Sequence, residues 1–90
     1  MDPSAARTFE WDSGNELKSQ RKHGVTPLEA EEVFLGLPLV AADVAHSGGE
    51  ARFHALGETR AGRLLLAVFT LRDDRIRIIS VRDMSRRERD

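Results

Sequence analysis

The sequence predicts a single α+β domain in which helices pack on one face of an antiparallel sheet. Between residues 26 and 37 the apolar residues recur at helical spacing, whereas apolar runs and alternating segments predominate from residue 38 onward. Short turns separate these strand-like segments, which is typical of an antiparallel meander. A chain of 90 residues has the length of one domain. We expect a loose tail over residues 1–6 and the domain over residues 7–90.

The first expected element is a short N-terminal strand. Residues 7–12, RTFEWD, alternate between polar and apolar side chains. This pattern places Phe9 and Trp11 on the same face, because successive side chains of a strand point to opposite sides. Trp11 is the only tryptophan; a buried anchor is its simpler interpretation and stacking on a base is the alternative.

A surface helix is expected next. Asp12 or Ser13 can cap a helix over about residues 13–23. Leu17 is the only large apolar residue of this segment, so few core contacts would hold the helix. Gly24 is expected to end it, since glycine readily adopts the left-handed conformation at a helix C-terminus.

A second helix has stronger signals. Thr26 is expected at the N-cap, Pro27 at the first helical position and Glu29 as the reciprocal partner of a capping box. The helix is expected to end near Leu35, because a glycine and a proline follow. The residues at core-facing spacing are Ala30, Val33, Phe34 and Leu37.

Four strands and a short C-terminal helix complete the expected fold. The strand-like segments are LVAAD (39–43), ARFHALG (51–57), RLLLAVFTL (63–71) and RIRIISVR (75–82). The third is apolar on both faces and is therefore expected at the centre of the sheet. In the final SRRERD, Ser85 and Glu88 have the spacing of a helix cap.

Composition restricts the environment and the partner. The chain has no cysteine, which excludes disulfides and thiolate metal sites. Its longest apolar run, residues 64–69, is too short to span a membrane, and no signal peptide is visible, so we expect a soluble cytoplasmic protein. Residues 60–90 carry nine arginines, no lysine and five Asp or Glu. This basic end favours an anionic partner, with a solvated charged face as the alternative.

Six motifs in register give the chain a family resemblance. They are FEWD (9–12), RKHGV (21–25), HS (46–47), RF (52–53), RIISVR (77–82) and RRER (86–89). In this order and spacing they resemble the BrnT toxin family over residues 9–89. The resemblance implies a RelE/ParE-like fold and an RNA endonuclease that arrests translation. Since the residues show no metal signature, no cofactor is expected. It also implies a BrnA-type antitoxin in a 2:2 complex, which binds operator DNA only through the antitoxin.

Departures from the family pattern keep two other functions open. The family usually has Lys at the position of Asn15, Asn at that of Ser19, and Asp at that of Ala45. Asn15 and Ser19 would share a helix face with Lys22, so an RNA contact there would be weakened. The alternatives are a catalytically degenerate module that only binds the antitoxin, and a gyrase poison like other toxins of this fold.

Metal-free RNA cleavage requires a base for the 2′-OH, cations for the phosphorane and an acid for the 5′-oxygen. Lys22 and His23 are the predicted proton-transfer pair, because imidazole titrates near neutrality and a lysine can be shifted into range. The three histidines, His23, His46 and His54, fall in different elements, so no metal site is expected.

Arginines of the sheet are the predicted phosphate ligands. Arg77 and Arg82 are assigned to catalysis, although a regular strand would place them on opposite faces. Either a bulge intervenes or Arg82 lies beyond the end of the strand, and we favour the second. Arg52, Arg75 and Trp11 are predicted RNA contacts; the alternatives are a cross-strand ion pair for Arg52 and an exposed surface position for Arg75. The last arginines are predicted to bind the antitoxin: Arg86, Arg87 and Arg89.

Overall fold

A computed structural model describes residues 8–44 and 49–89. Within these residues the chain forms three helices and four strands. In chain order they are α1 (Lys18–His23), α2 (Pro27–Leu35), β1 (Leu39–Ala42), β2 (Phe53–Glu58), β3 (Leu64–Arg72), β4 (Arg75–Asp83) and α3 (Arg86–Arg89). The strands make one antiparallel sheet in the order β1-β2-β3-β4, which confirms the α+β class. The predicted tail and the His-Ser motif lie outside the described residues.

The sheet has two faces of different character. The inner face lies under α2, and its buried side chains are Ala55, Leu65, Ala67, Phe69, Ile76, Ile78 and Val81. The outer face carries the alternating positions, where polar and half-exposed residues predominate. None of the described helices is long and apolar enough to cross a membrane.

Helix α2 supplies the other half of the core. Phe34 meets Phe69 edge to face with ring centroids 5.0 Å apart, and Val33 lies against Gly57 of β2. The predicted capping box is present: Thr26 Oγ1 accepts from the Glu29 amide and Glu29 Oε1 accepts from the Thr26 amide. The prediction that Leu37 is buried was wrong. The helix ends at Leu35, so Leu37 leaves the helical spacing and is fully exposed.

The N-terminal segment is less regular than predicted. Instead of a strand, Phe9 forms a single parallel bridge with Ile76. The Ile76 amide donates to the Thr8 carbonyl, and the Ile76 carbonyl accepts from the Glu10 amide. Residues 13–17 form turns and α1 begins only at Lys18. The Asp12 carboxylate accepts from the Gly14 amide, a local bond that competes with helix formation. The predicted caps therefore do not start α1, whereas Gly24 ends it with φ 66° as expected.

Two side chains of this segment cover the open edge of β4. The Asn15 amide donates to the backbone oxygens of Ile78 and Glu10, and Asn15 is only 6% exposed. Ser19 Oγ accepts from the Val81 amide at 2.7 Å. These bonds satisfy backbone groups that a fifth strand would otherwise pair. Both side chains are therefore turned to the edge of the sheet.

A β-bulge in β4 changes which residues share a face. Phe69 pairs with Ile78, but its neighbour Val68 pairs with Ser80, so Ile79 is the extra residue. Val81 consequently returns to the inner face, where it is fully buried. Arg82 lies within β4, so our preference for a position beyond the strand was wrong and the bulge is the correct explanation.

Arg63 joins three elements on the inner side of the sheet. Its guanidinium donates to the carbonyl oxygens of His23 and Gly24 at the end of α1, to Glu29 of α2, and to both oxygens of Asp83. The paired Asp83 raises the pKa of Arg63, and the Arg63 hydrogen bonds lower the pKa of Asp83. The end of α1 is thereby fixed beside the end of β4.

Candidate functional site

The outer face of the sheet gathers polar residues from three neighbouring strands. The cross-strand register gives three rows across β2, β3 and β4, which are Arg52, Thr70 and Arg77; His54, Val68 and Ser80; and Leu56, Leu66 and Arg82. Arg52 lies immediately before β2, where its carbonyl accepts from the Asp43 amide. The bulge is what brings Arg77, Ser80 and Arg82 to this one face. We call these nine positions the outer-face site.

Arg77 lies at one end of the outer-face site and is held by two acids. Its Nη1 donates to Glu10 at 3.0 Å and to Asp12 at 2.9 Å, and its Nη2 donates to Asp12 at 3.1 Å. These hydrogen bonds from Arg77 lower the pKa of Asp12, and Asp12 in turn raises the pKa of Arg77. Only 15% of the Arg77 side chain is exposed, so its position is well fixed.

Arg82 lies at the other end and is held by the last helix. Its two Nη atoms donate to the two carboxylate oxygens of Glu88 at 2.8 and 2.9 Å. This paired contact, together with the Ser85 amide, lowers the pKa of Glu88 to about 2. Glu88 and Ser85 also form the predicted helix cap. Arg77 and Arg82 are five residues apart, or about 15 Å along a strand, and each is held at its own end.

The middle row of the outer-face site holds a histidine that sequence reasoning passed over, on β2 and two strands away from these arginines. His54 Nε2 is 2.9 Å from Asp43 Oδ2, and the Asp43 side chain is only 9% exposed whereas that of His54 is 40% exposed. Ala41 and Val68 are its cross-strand neighbours. The signal in the sequence was weak, because the two partners are eleven positions apart and residues 44–53 intervene.

The predicted proton-transfer pair lies elsewhere. Lys22 and His23 are exposed in the last turn of α1, and their side chains form no hydrogen bond with any described residue. The end of α1 is tied to Asp83, which pairs with the buried Leu65 and so belongs to the inner side of the sheet. The structure therefore does not bring Lys22 and His23 together with Arg77 or Arg52. A groove of about 640 Å³ runs beside this turn, lined by Ser13, Glu16, Leu17, Lys18, Arg21 and Lys22.

The remaining predicted residues fall into two groups. Trp11 packs against the core and donates its indole N–H to Glu31 of α2 at 2.6 Å, as expected for a buried anchor. Arg75 is exposed at the start of β4, beside the Arg52 and Arg77 row. On α3 the three basic side chains that were predicted to meet the antitoxin are exposed: Arg86, Arg87 and Arg89.

The chain is an antiparallel α+β domain with arginines along one sheet face, and guanidinium groups have the planar donors that suit phosphate and carboxylate. A family model described as the ribonuclease toxin BrnT of type II toxin–antitoxin systems matches residues 11–88. The chain belongs to this family, which confirms the resemblance seen in its motifs. Type II systems pair each toxin with an antitoxin, so an antitoxin partner follows from the family. A comparison with curated proteins gives no match.

Proposed function

We propose that this ribonuclease toxin cleaves RNA without a metal ion, at the outer-face site. The observation that carries the proposal is the bulge at Ile79, which places Arg77 and Arg82 on the same face of the sheet. Arg52 lies on the same face immediately before β2, two strands away from β4. Fixed guanidinium groups stabilise the charge that builds on a phosphorane, and they do so without reorganisation during the reaction.

Both arginines keep donors for a phosphate. A guanidinium has five N–H groups. Arg77 uses three of them on Glu10 and Asp12, and Arg82 uses three on Glu88 and the Asp83 carbonyl. Toward the described residues each retains Nε–H and one Nη2–H. The carboxylates thus orient the guanidinium groups while leaving an edge of each for an RNA oxygen.

Lys22 and His23 receive a different role from the one their sequence suggested. Because they lie at the end of α1 and away from Arg77 and Arg52, we assign them to the RNA that flanks the cleaved bond. Arg21 and Lys18 line the same groove, so this turn offers several cations to a phosphate backbone. Loss of Lys22 is then expected to raise KM and to leave kcat nearly unchanged.

The biological setting follows from the same proposal. We infer a RelE/ParE-like fold and arrest of translation in the cytoplasm through RNA cleavage. Neutralisation would come from a BrnA-type antitoxin in a 2:2 complex that reaches operator DNA through the antitoxin alone. Arg86, Arg87 and Arg89 on α3 suit an acidic antitoxin segment. The degenerate, antitoxin-binding alternative predicts the same complex without RNA cleavage. Asn15 and Ser19, which replace the usual Lys and Asn of the family, bind the edge of β4.

The test is cleavage of single-stranded RNA by the purified protein in excess EDTA. Wild type is expected to cleave, Arg82→Ala to lose about 10²–10³-fold in kcat, and Lys22→Ala to change KM alone. Arg60→Ala is the matched control, since it removes an exposed arginine that lies outside the outer-face site, and it should retain cleavage. A wild type that binds the antitoxin but leaves RNA intact, with and without ribosomes, would refute the ribonuclease proposal. Equal kcat in wild type and Arg82→Ala would move the site away from this face.

A further inference from the structure

We propose that His54 is the proton-transfer group of the outer-face site and that Asp43 positions it, an inference that rests on the proposed RNA cleavage at this face. The two side chains meet at 2.9 Å between Nε2 and Oδ2. Asp43 is nearly buried and His54 is half exposed. An imidazole anchored on a buried carboxylate, with its other edge toward solvent, has the arrangement that general acid–base catalysis uses.

The partner determines which ring nitrogen can act as the base. An ionised carboxylate only accepts hydrogen bonds, so Nε2 must carry the proton that is donated to Asp43. In the neutral imidazole the lone pair then lies on Nδ1, which is the nitrogen available to a substrate. When Nδ1 takes up a proton, the Asp43 carboxylate stabilises the resulting imidazolium.

The position of His54 fits this role. It lies in the middle row of the outer-face site, between the Arg52 and Arg77 row and the row of Arg82. His54 and Arg77 lie two strands and one row apart. This corresponds to about 12 Å between their Cα atoms. A phosphate held by the arginine side chains would therefore lie above the imidazole. The flanking residues Ala41 and Val68 are short enough to leave the ring accessible.

The charged groups around His54 come from each neighbouring element. Asp43 follows β1, Arg52 precedes β2, and Arg77 and Arg82 lie on β4. Asp43 is the acid in direct contact with the ring, whereas Glu10 and Asp12 pair with Arg77 and Glu88 pairs with Arg82. The guanidinium N–H groups that Arg77 and Arg82 do not use on these acids can bind a phosphate above this face.

The proposed step is a transesterification with complete balance of atoms. His54 Nδ1 takes the proton of a ribose 2′-OH, and the 2′-oxygen forms a bond to phosphorus. The bond from phosphorus to the 5′-oxygen breaks, and that oxygen takes a proton from water. The hydroxide that remains removes the proton from the His54 imidazolium and restores the neutral ring. The products are a 2′,3′-cyclic phosphate and a 5′-hydroxyl end, with no oxidant, reductant or metal required.

The experiment compares His54→Ala with wild type on a single-stranded RNA in EDTA, with and without added imidazole. His54→Ala is expected to lose about 10²–10⁴-fold in kcat, and imidazole is expected to restore part of it. His54→Gln, which can still donate to Asp43, should fold and be inactive. Asp43→Asn should lose less, about 10–100-fold, and ring-nitrogen NMR should show that His54 no longer prefers the Nε2–H form. His23→Ala is the control, since its loss should appear in KM and should not respond to imidazole.

The outcomes separate this inference from the proposed function. Wild-type kcat in His54→Ala, beside an inactive Arg82→Ala, would overturn the role of His54 and keep the ribonuclease on this face. Folded His54→Ala and His54→Gln that are both inactive and do not respond to imidazole would make His54 a structural residue and also overturn the inference. A wild type without cleavage would overturn both proposals.

Discussion

Arg82 binds Glu88 through two parallel hydrogen bonds of 2.8 and 2.9 Å, and this pair joins the end of β4 to α3. The pair has two consequences. It orients the Arg82 guanidinium at one end of the outer-face site, and it fixes a helix of only four residues that has no buried side chain of its own. Helices this short have little intrinsic stability, so the ion pair and the cap at Ser85 are the contacts that define α3.

The first prediction concerns the stability of the protein at low pH. The pKa of Glu88 is lowered to about 2, chiefly by Arg82. A carboxyl whose pKa is lowered in the folded state contributes stability above its unfolded pKa of 4.5, and that contribution disappears as the pH falls toward 2. Glu88→Gln should therefore melt about 2–5 °C below wild type at pH 6, and the difference should shrink below pH 4.5.

Thermal melts of both proteins across this pH range provide the measurement. Glu16→Gln is the control, because the Glu16 carboxylate makes no hydrogen bond with a described residue. Its melting temperature should follow that of wild type throughout. A gap between wild type and Glu88→Gln that stays constant from pH 6 to pH 2.5 would contradict the prediction.

The second prediction concerns Arg63. Arg63→Ala should lower the free energy of unfolding by about 1–3 kcal/mol, because it leaves the Glu29 and Asp83 contacts and two helix-end carbonyls without their donor. Arg63→Lys should recover only part of this, since one ammonium cannot reach all four acceptors. Urea unfolding measures both, with the exposed Arg60→Ala expected to be neutral. Full recovery by lysine would show that charge alone matters.

The third prediction tests whether Asn15 stabilises the fold or binds RNA. Asn15→Ala should cost about 1–3 kcal/mol, because the buried carbonyl of Ile78 loses its donor. Below its lowered melting temperature the variant should cleave RNA with the kcat and KM of wild type. Gln20→Ala, on the exposed side of α1, is the stability control. A raised KM in a fully folded Asn15→Ala would return this residue to the RNA surface.

Local signals made part of the fold predictable. The Thr26 and Glu29 cap, the helix end at Gly24 and the cap at Ser85 each depend on residues within a few positions of one another, and all three are present. The late start of α1 was missed because the side chains of Asp12 and Asn15 form turn bonds that outcompete a poorly anchored helix. The exposure of Leu37 was not predicted, because α2 already ends before Gly36 and position 37 no longer follows the helical spacing.

The site was harder to predict, since its partners lie far apart in sequence. The alternation in β4 identified the conflict between Arg77 and Arg82, yet the extra residue at Ile79 is visible only in the pairing with β3. Arg63 meets His23 from a distance of 40 residues, and no local pattern marks it. The same holds for Asp43 and His54, which come together only because β1 and β2 pair.

The fourth prediction tests the contact between α2 and the sheet. A Cβ at position 57 would lie 2.9 Å from Val33 Cγ1 and 3.1 Å from the Val33 carbonyl oxygen. Gly57→Ala should therefore push α2 away and cost about 1–3 kcal/mol in unfolding free energy. Gly49→Ala, whose Cβ meets no described atom within 4 Å, should unfold like wild type. Equal stability of the two variants would mean that α2 shifts at no cost.

The fifth prediction concerns the antitoxin and the exposed arginines of α3. Arg87→Glu should slow association with the antitoxin about tenfold at low salt, because a rim charge acts mainly through electrostatic steering. The effect should weaken as salt is added, since screening shortens the range of the charge. Stopped-flow or surface binding measures the rate, and Arg60→Glu, an equal charge change outside α3, is the control. Equal slowing by Arg60→Glu would mean that net charge alone guides association. A change confined to dissociation would instead place Arg87 inside the interface, where it makes a desolvated contact with the antitoxin.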